Sequence, residues 1–419
     1  MAAGQRVRER PLRRVEVQAQ APAVRRSPVL GLYVWSRIAV WGAALFALLT
    51  LAGSSPQAQR VDDPRLTRDL GALTDVWARW DSVWFLRIAE RGYERASPNG
   101  AATAFFPLYP ATVRPVGKAL LGHYVLAGIL VSLAASLAAF FLLHRVAEER
   151  LGVDGARRAV IYLAVFPMTF FLIAVYSEAL FLLLSLSAFV LAERRRWLPA
   201  WSLVGLAILT RPAGLALLPP LLLLAWRSPN RGRALRAFPV APLLACLYPL
   251  YLWHEVGDPV AFARAQALWH RHLSPAGPLG GVWDGLRAGW AGLEQLASGS
   301  HVHRYWPAVP DTDPMRVALV NLTSLAFLAL FCWLTVIAWR RFGAPYGLFC
   351  TLSLALPLST PSSQWPLQSL PRLGLAIFPF FLALAVIGGR PRVHTAIVGV
   401  SAMLLGVFVT QWTLWQWVA

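Results

Sequence analysis

Apolar residues in this chain gather in blocks of about 17–25 residues, separated by short arginine-rich stretches. That is the length needed for a helix to cross a bilayer. Taken in order, the blocks predict about eleven spans: 29–52, 124–144, 159–176, 178–192, 198–210, 213–226, 237–253, 316–338, 345–358, 372–388 and 395–417. Several are short or interrupted by Pro167, Pro212, Pro219, Pro242, Pro249 or Pro357. Proline is tolerated in membrane helices where neighbours satisfy the freed carbonyl. Two long polar stretches, 53–123 and 254–315, stand between spans. Inside the second, 258–272 and 281–297 repeat apolar residues every three or four positions, with Phe262, Gln266 and Trp269 on one face. This is the pattern of helices lying along a membrane surface. The expected architecture is therefore all-α and polytopic, with a basic segment at 1–28 and one transmembrane domain over 29–419.

Composition supports that reading. Of 419 residues, 57% are hydrophobic and only 14% charged, a balance unlike that of a soluble domain. The net charge of +19 suggests nucleic acid until its placement is considered. Basic residues cluster in alternate short loops: Arg6 to Arg26, Arg145 to Arg158, Arg194 to Arg196, Arg227 to Arg236, Arg340-Arg341, and Arg390 with Arg392. Retention of positive loops in the cytoplasm explains this, and no nucleic-acid partner is expected. The same rule places the N-terminus inside, as an uncleaved signal anchor, and both long loops outside. The dominance of arginine, with Lys118 the only lysine, points to a GC-rich bacterial source. Cys246, Cys332 and Cys350 are isolated and read as small buried hydrophobes.

Candidate chemistry crowds the outer rim. Asp81 lies in the polar run Arg79-Trp80-Asp81-Ser82-Val83-Trp84, in the outer loop that follows the first span. A partly desolvated carboxylate there suits a general base acting on a hydroxyl. The alternative is a loop aspartate that pairs with Arg79 or caps a helix. Arg211 and Arg372 stand at outer span boundaries, against the charge bias of the rest of the chain. A guanidinium there fits a phosphate, either of a bound substrate or of lipid headgroups. Tyr176-Ser177-Glu178 forms a tight turn between spans, and Glu178 needs a cationic partner such as Arg211. The triplet Asp311-Thr312-Asp313 matches the acidic motif that holds a metal and a nucleotide sugar, but no phosphate loop or α/β domain surrounds it. The pairs His270/His272 and His301/His303 have a spacing that converges only on a strand, and read as loop histidines. No residue is assigned to a metal, and whether the chemistry requires one stays open.

The runs R-W-D-S-V-W-F-L-R-I-A-E-R-G-Y (Arg79 to Tyr93) and A-F-F-P-L-Y-P (Ala104 to Pro110) resemble the first outer loop of the PIG-V family. That family includes the second mannosyltransferase of glycosylphosphatidylinositol assembly and bacterial relatives. Further runs resemble it in order: Phe166 to Phe181, Leu209 to Leu215, Phe262 to Arg271 and Ser369 to Phe381. One departure is Leu373, where the family usually has an aromatic residue. The resemblance, covering about 36–387, implies a GT-C membrane glycosyltransferase. Such an enzyme moves a hexose, usually mannose, from a polyprenyl-phosphate carrier to an outer-face acceptor with inversion. It further implies Asp81 as general base, with Arg79, Trp80, Tyr176, Glu178, Arg211, Gln266, Trp269, Arg271 and Arg372 around the lipid phosphate and sugar. No cofactor beyond the donor is implied. The acceptor stays open between glycolipid, protein and polysaccharide. Competing readings are a transporter or flippase of a lipid-linked sugar and a non-catalytic subunit of an envelope complex. Against transport, the ionisable groups sit at the rim instead of the midplane.

Overall fold

The computed structural model describes residues 28–51, 63–93, 98–309 and 312–418. Among these, the regular structure is helical, apart from one isolated antiparallel bridge between Arg271 and Ser362. The basic segment at 1–27 and Asp311 lie outside the described residues. Five helices are long and apolar enough to cross a membrane: Val29–Leu51, Tyr124–Val165, Arg231–Val256, Pro314–Phe342 and Pro391–Thr413. Shorter apolar helices accompany them at Trp197–Thr210, Pro212–Trp226 and Ala344–Leu358. Large apolar side chains such as Trp35, Phe46, Leu49, Trp253 and Met403 face outward from the helices. An exterior of this kind is stable against lipid and unstable against water. The chain is an all-α, multi-pass membrane protein.

Three of the departures from the eleven expected spans bear on the site. The basic stretch 145–158, expected as a loop, is helical, and Tyr124–Val165 runs through it with one kink at Gly152 (φ 71°). The helix then stops at Phe166, whose extended ψ of 137° is what a residue preceding proline favours. Residues 166–176, expected to finish a span, are instead irregular with one short 3-10 turn at Thr169–Leu172. The third difference is 372–388, which divides into Leu370–Leu375 and Pro379–Ile387.

Irregular backbone at this depth survives only where protein satisfies its polar groups. Every residue from 166 to 179 is buried. Arg37, inside the first helix, donates from Nη1 to the Thr169 carbonyl (3.2 Å) and from Nη2 to the Thr169 hydroxyl (3.0 Å). The Ser132 hydroxyl donates to the Ala174 carbonyl at 2.9 Å, and the Val175 N–H donates to the Trp77 carbonyl at 3.0 Å. These bonds hold a bent segment at the centre of the molecule, and it delivers Tyr176 and Glu178.

The second long loop folds back onto the helices. Its helix Pro278–Ser298 packs against Pro314–Phe342 and Ala344–Leu358 through Gly281, Gly289 and Gly292, and against Leu367 at Gly285. At Gly281 a Cβ would fall 2.1 Å from the Leu358 carbonyl oxygen, so only glycine allows the approach. The opposite face exposes Leu279, Trp283, Leu286, Trp290 and Leu293 at helical spacing, as an interfacial helix requires. Segment 258–272 is shorter and more broken than expected. It forms Ala261–Arg264 and a 3-10 turn, Ala265–Trp269, then pairs His272 N–H with the Pro361 carbonyl (3.2 Å) and Ser363 N–H with the His270 carbonyl (3.0 Å). Cys246 and Cys332 are exposed on the apolar surface, contrary to expectation, and only Cys350 is buried. An outward position in a membrane protein is still apolar, so composition alone does not separate the two.

Candidate active site

Asp81 stands at the N-cap of helix Ser82–Arg91, yet its side chain makes no capping bond. Its Oδ2 accepts from Arg372 Nη1 at 2.9 Å. Neither alternative raised for it, a helix cap or a pair with Arg79, is what the carboxylate does. Its backbone is fixed separately: the Tyr176 hydroxyl accepts from Asp81 N–H (3.0 Å) and donates to the Arg79 carbonyl (3.2 Å). The residue between them, Trp80, adopts a left-handed φ of 54°, which turns the chain sharply just before Asp81. The bent segment around Tyr176 thus locks the first loop onto the core.

Arg372 links Asp81 to a second carboxylate. Its Nε lies 3.3 Å from Glu178 Oε1, and Arg211 Nη1 lies 3.1 Å from the same oxygen. Asp81, Arg372, Glu178 and Arg211 therefore form one chain of alternating charge, with Glu178 1% exposed. The expected pairing of Glu178 with Arg211 is present. Arg372 also donates from Nη2 to Ser369 Oγ (3.3 Å) and packs its guanidinium over the rings of Tyr176 (5.2 Å) and Phe171 (5.4 Å). Breaking such a buried network by removing an inner member, Arg372 or Glu178, costs about 3–5 kcal/mol, because the remaining charges are stranded.

A cavity of about 360 Å³ opens onto this chain. Asp81, Tyr176, Glu178, Arg211, Gln266, Trp269, Arg271 and Arg372 all line it. Eight of the ten residues expected at the site, scattered over nearly three hundred positions, meet there. Arg271 adds a third cation. Its Nη1 donates to the Thr360 carbonyl (3.1 Å) and its Nη2 to the Gln368 carbonyl (3.0 Å); among the described residues no carboxylate forms an ion pair with it, although Asp81 lies near enough to attract it. Burial, reinforced by repulsion from Arg372, pushes the Arg271 guanidinium down to about 10, so it remains charged at neutral pH. Three guanidinium groups against two carboxylates leave the cavity with a surplus of positive charge, suited to a phosphate. Phe85, Phe105, Phe106, Phe262 and Trp269 supply an aromatic wall, with the Trp269 ring 5.5 Å from Phe105.

The other two expected residues lie elsewhere. Arg79 stacks its guanidinium 4.5 Å over the Trp415 ring, and Trp80 packs edge-on to Trp417 at 5.4 Å. Neither lines the cavity; they anchor the Asp81 turn to the C-terminal residues. Sequence reading missed Trp417, Thr360 and Gln368, which do line it. The polar run Ser359-Thr360-Pro361-Ser362-Ser363-Gln364 between two apolar blocks was the available signal for Thr360, and Gln368 lies beyond it. Of the decoys, Asp313 caps helix Pro314–Phe342 by accepting from Met315 N–H (2.8 Å) and meets His301 Nδ1 at 2.7 Å. His303 Nε2 donates to the Thr312 carbonyl (3.2 Å).

Residues 43–219 match the family model described as Mannosyltransferase (PIG-V), which bears out the resemblance drawn from the motifs and the enzyme class it implies. No curated protein matches the chain. Among solved structures, it is similar to the Archaeoglobus fulgidus oligosaccharyltransferase tethered with an acceptor peptide (12% identity, 94% of this chain and 56% of that one, TM-score 0.42). It is also similar to ArnT from Cupriavidus metallidurans bound to undecaprenyl phosphate (15%, 92% and 77%, TM-score 0.40). A third is the Archaeoglobus fulgidus oligosaccharyltransferase AglB with an inhibitory peptide and a dolichol-phosphate (15%, 91% and 55%, TM-score 0.37). The chain spans little more than half the length of both oligosaccharyltransferases.

Proposed function

From the premise that the chain is a membrane glycosyltransferase with the mannosyltransferase (PIG-V) match over 43–219, we propose that its cavity transfers mannose from a polyprenyl-phosphate carrier to an acceptor hydroxyl. The observation that carries this reading is the convergence of Asp81 with Arg211, Arg271 and Arg372 on one cavity. In the proposed reaction the acceptor oxygen attacks the anomeric carbon as the bond from that carbon to the phosphate oxygen breaks. Asp81 takes the acceptor proton, and the lipid phosphate leaves with the bonding electrons. One displacement inverts the anomeric centre, so a single carboxylate suffices, unlike the acid–base pair of glycosidases.

The arginines would stabilise the departing phosphate, with their orientation fixed in advance by Glu178, Ser369 and the carbonyls of Thr360 and Gln368. Aromatic faces at Phe105, Phe262 and Trp269 offer apolar surface to the sugar ring and the first carrier isoprenes. The charge bias of the loops supports a site on the outer face of a bacterial cytoplasmic membrane, where lipid-linked sugars are presented.

Purified protein in detergent, given polyprenyl-phosphate mannose and an acceptor fraction from cell envelopes, tests the reading. Asp81→Asn is expected to lower transfer at least about 10²–10⁴-fold. Its thermal unfolding should stay close to the parent's. Wild-type rates in that variant would overturn the assignment. Turnover in detergent also separates transfer from transport, which needs a sealed membrane.

A further inference from the structure

We infer that Gln368 reads a hydroxyl of the donor sugar, an inference that rests on the lipid-phosphate reading of the cavity. Gln368 lines the cavity together with Asp81 and the three arginines. Its backbone is pinned on both sides: the N–H donates to the Trp365 carbonyl (2.9 Å) and the carbonyl accepts from Arg271 Nη2 (3.0 Å). The next residue, Ser369, holds a left-handed φ of 65°, and its hydroxyl accepts from Arg372. Gln368 is therefore fixed between two of the three cations that would hold the phosphate.

Its side chain is different. Oε1 is buried and has no hydrogen-bond partner. The amide makes no side-chain hydrogen bond, and it can be turned over to offer either Oε1 or Nε2 at that place. Such an atom needs a reason, because desolvating it without a partner is unfavourable. A sugar hydroxyl, at once donor and acceptor, answers both orientations. Glu178 Oε2 is likewise buried without a partner, but a carboxylate repels the phosphate next to it. A neutral amide does not. That makes Gln368 the group suited to the hexose directly attached to the phosphate, and hydrogen-bonding sites of this kind discriminate strongly between sugars.

Binding of two lipids to the full-length protein in detergent separates sugar from phosphate: undecaprenyl-phosphoryl mannose and undecaprenyl phosphate. Gln368→Leu keeps the shape and removes both polar atoms. It should weaken binding of the mannosyl lipid about 3- to 10-fold, the worth of one or two neutral hydrogen bonds, and leave undecaprenyl phosphate within about twofold. Gln368→Asn, which keeps an amide on a shorter stem, should fall between. Arg372→Gln, in contrast, should weaken both lipids alike. Equal effects of Gln368→Leu on the two lipids, or no effect on either, would overturn the role of Gln368 and leave the cavity's function standing. Failure of the wild-type protein to bind either lipid would instead bring down the lipid-phosphate reading, and the role of Gln368 with it.

Discussion

Arg37 and Arg372 are both buried guanidinium groups in a largely apolar molecule, and they are held in opposite ways. Arg372 meets two carboxylates, Asp81 and Glu178, at the wall of a cavity. Arg37 has no acidic partner among the described residues; a carbonyl and a hydroxyl of Thr169, the Ser36 hydroxyl and the rings of Tyr33 and Phe140 surround it. Arg37 replaces the hydrogen bonds that the irregular 166–176 backbone cannot make for itself. Arg372 instead has charged neighbours that a phosphate can compete with. A buried cation in a membrane protein is thus no functional signal by itself. What marks the site is a cation balanced by exchangeable anions beside an open volume.

Four substitutions test that contrast, in decreasing order of expected effect. Asp81→Asn should remove transfer while the fold persists, because the neutral amide still accepts from Arg372 but no longer takes a proton. Activity assays paired with unfolding curves would show this. Arg372→Gln leaves Asp81 without its cation and Glu178 with Arg211 alone, so it should abolish transfer and also cost about 3–5 kcal/mol of stability. Retained lipid binding in that variant would break the proposed division of roles.

Arg37→Met leaves the Thr169 carbonyl without its donor and should cost roughly 1–3 kcal/mol of stability. Transfer per folded molecule should stay within about twofold of wild type. A selective loss of turnover would instead make Arg37 part of the site. Tyr176→Phe removes the hydroxyl that joins Asp81 N–H to the Arg79 carbonyl. Loss of that link should lower the rate less than about tenfold, with about 0.5–1.5 kcal/mol of stability. If its effect on the rate matched that of Asp81→Asn, the hydroxyl would be taking part in the chemistry.

The legible parts of the site were those whose residue type conflicts with their surroundings. Glu178, Arg211 and Arg372 are charges at the ends of apolar blocks and Asp81 is a carboxylate set among tryptophans, where an ionised group is costly without a partner, so each one announced a contact. Arg79 and Trp80 share the same motif as Asp81, yet the left-handed turn at Trp80 sends their side chains to Trp415 and Trp417. Adjacency in sequence does not decide which way a turn residue faces. Gln368 and Thr360 are ordinary loop residues, and nothing about their type conflicts with a loop. Their relevance arises because Arg271, from a different loop, ties their carbonyls to the cavity wall.

Spacing and composition determined that this chain is helical, that it crosses a membrane several times, and which charges need partners. Those follow from the free energy of each residue in its immediate surroundings, which the local sequence already specifies. The path of 166–176, the joining of the second long loop to the 359–369 connection at Arg271 and Ser362, and the choice of Arg372 over Arg79 as partner of Asp81 were decided only by tertiary structure. Each depends on hydrogen bonds and ion pairs between residues far apart in the chain. Which of several unsatisfied groups find one another is settled by packing.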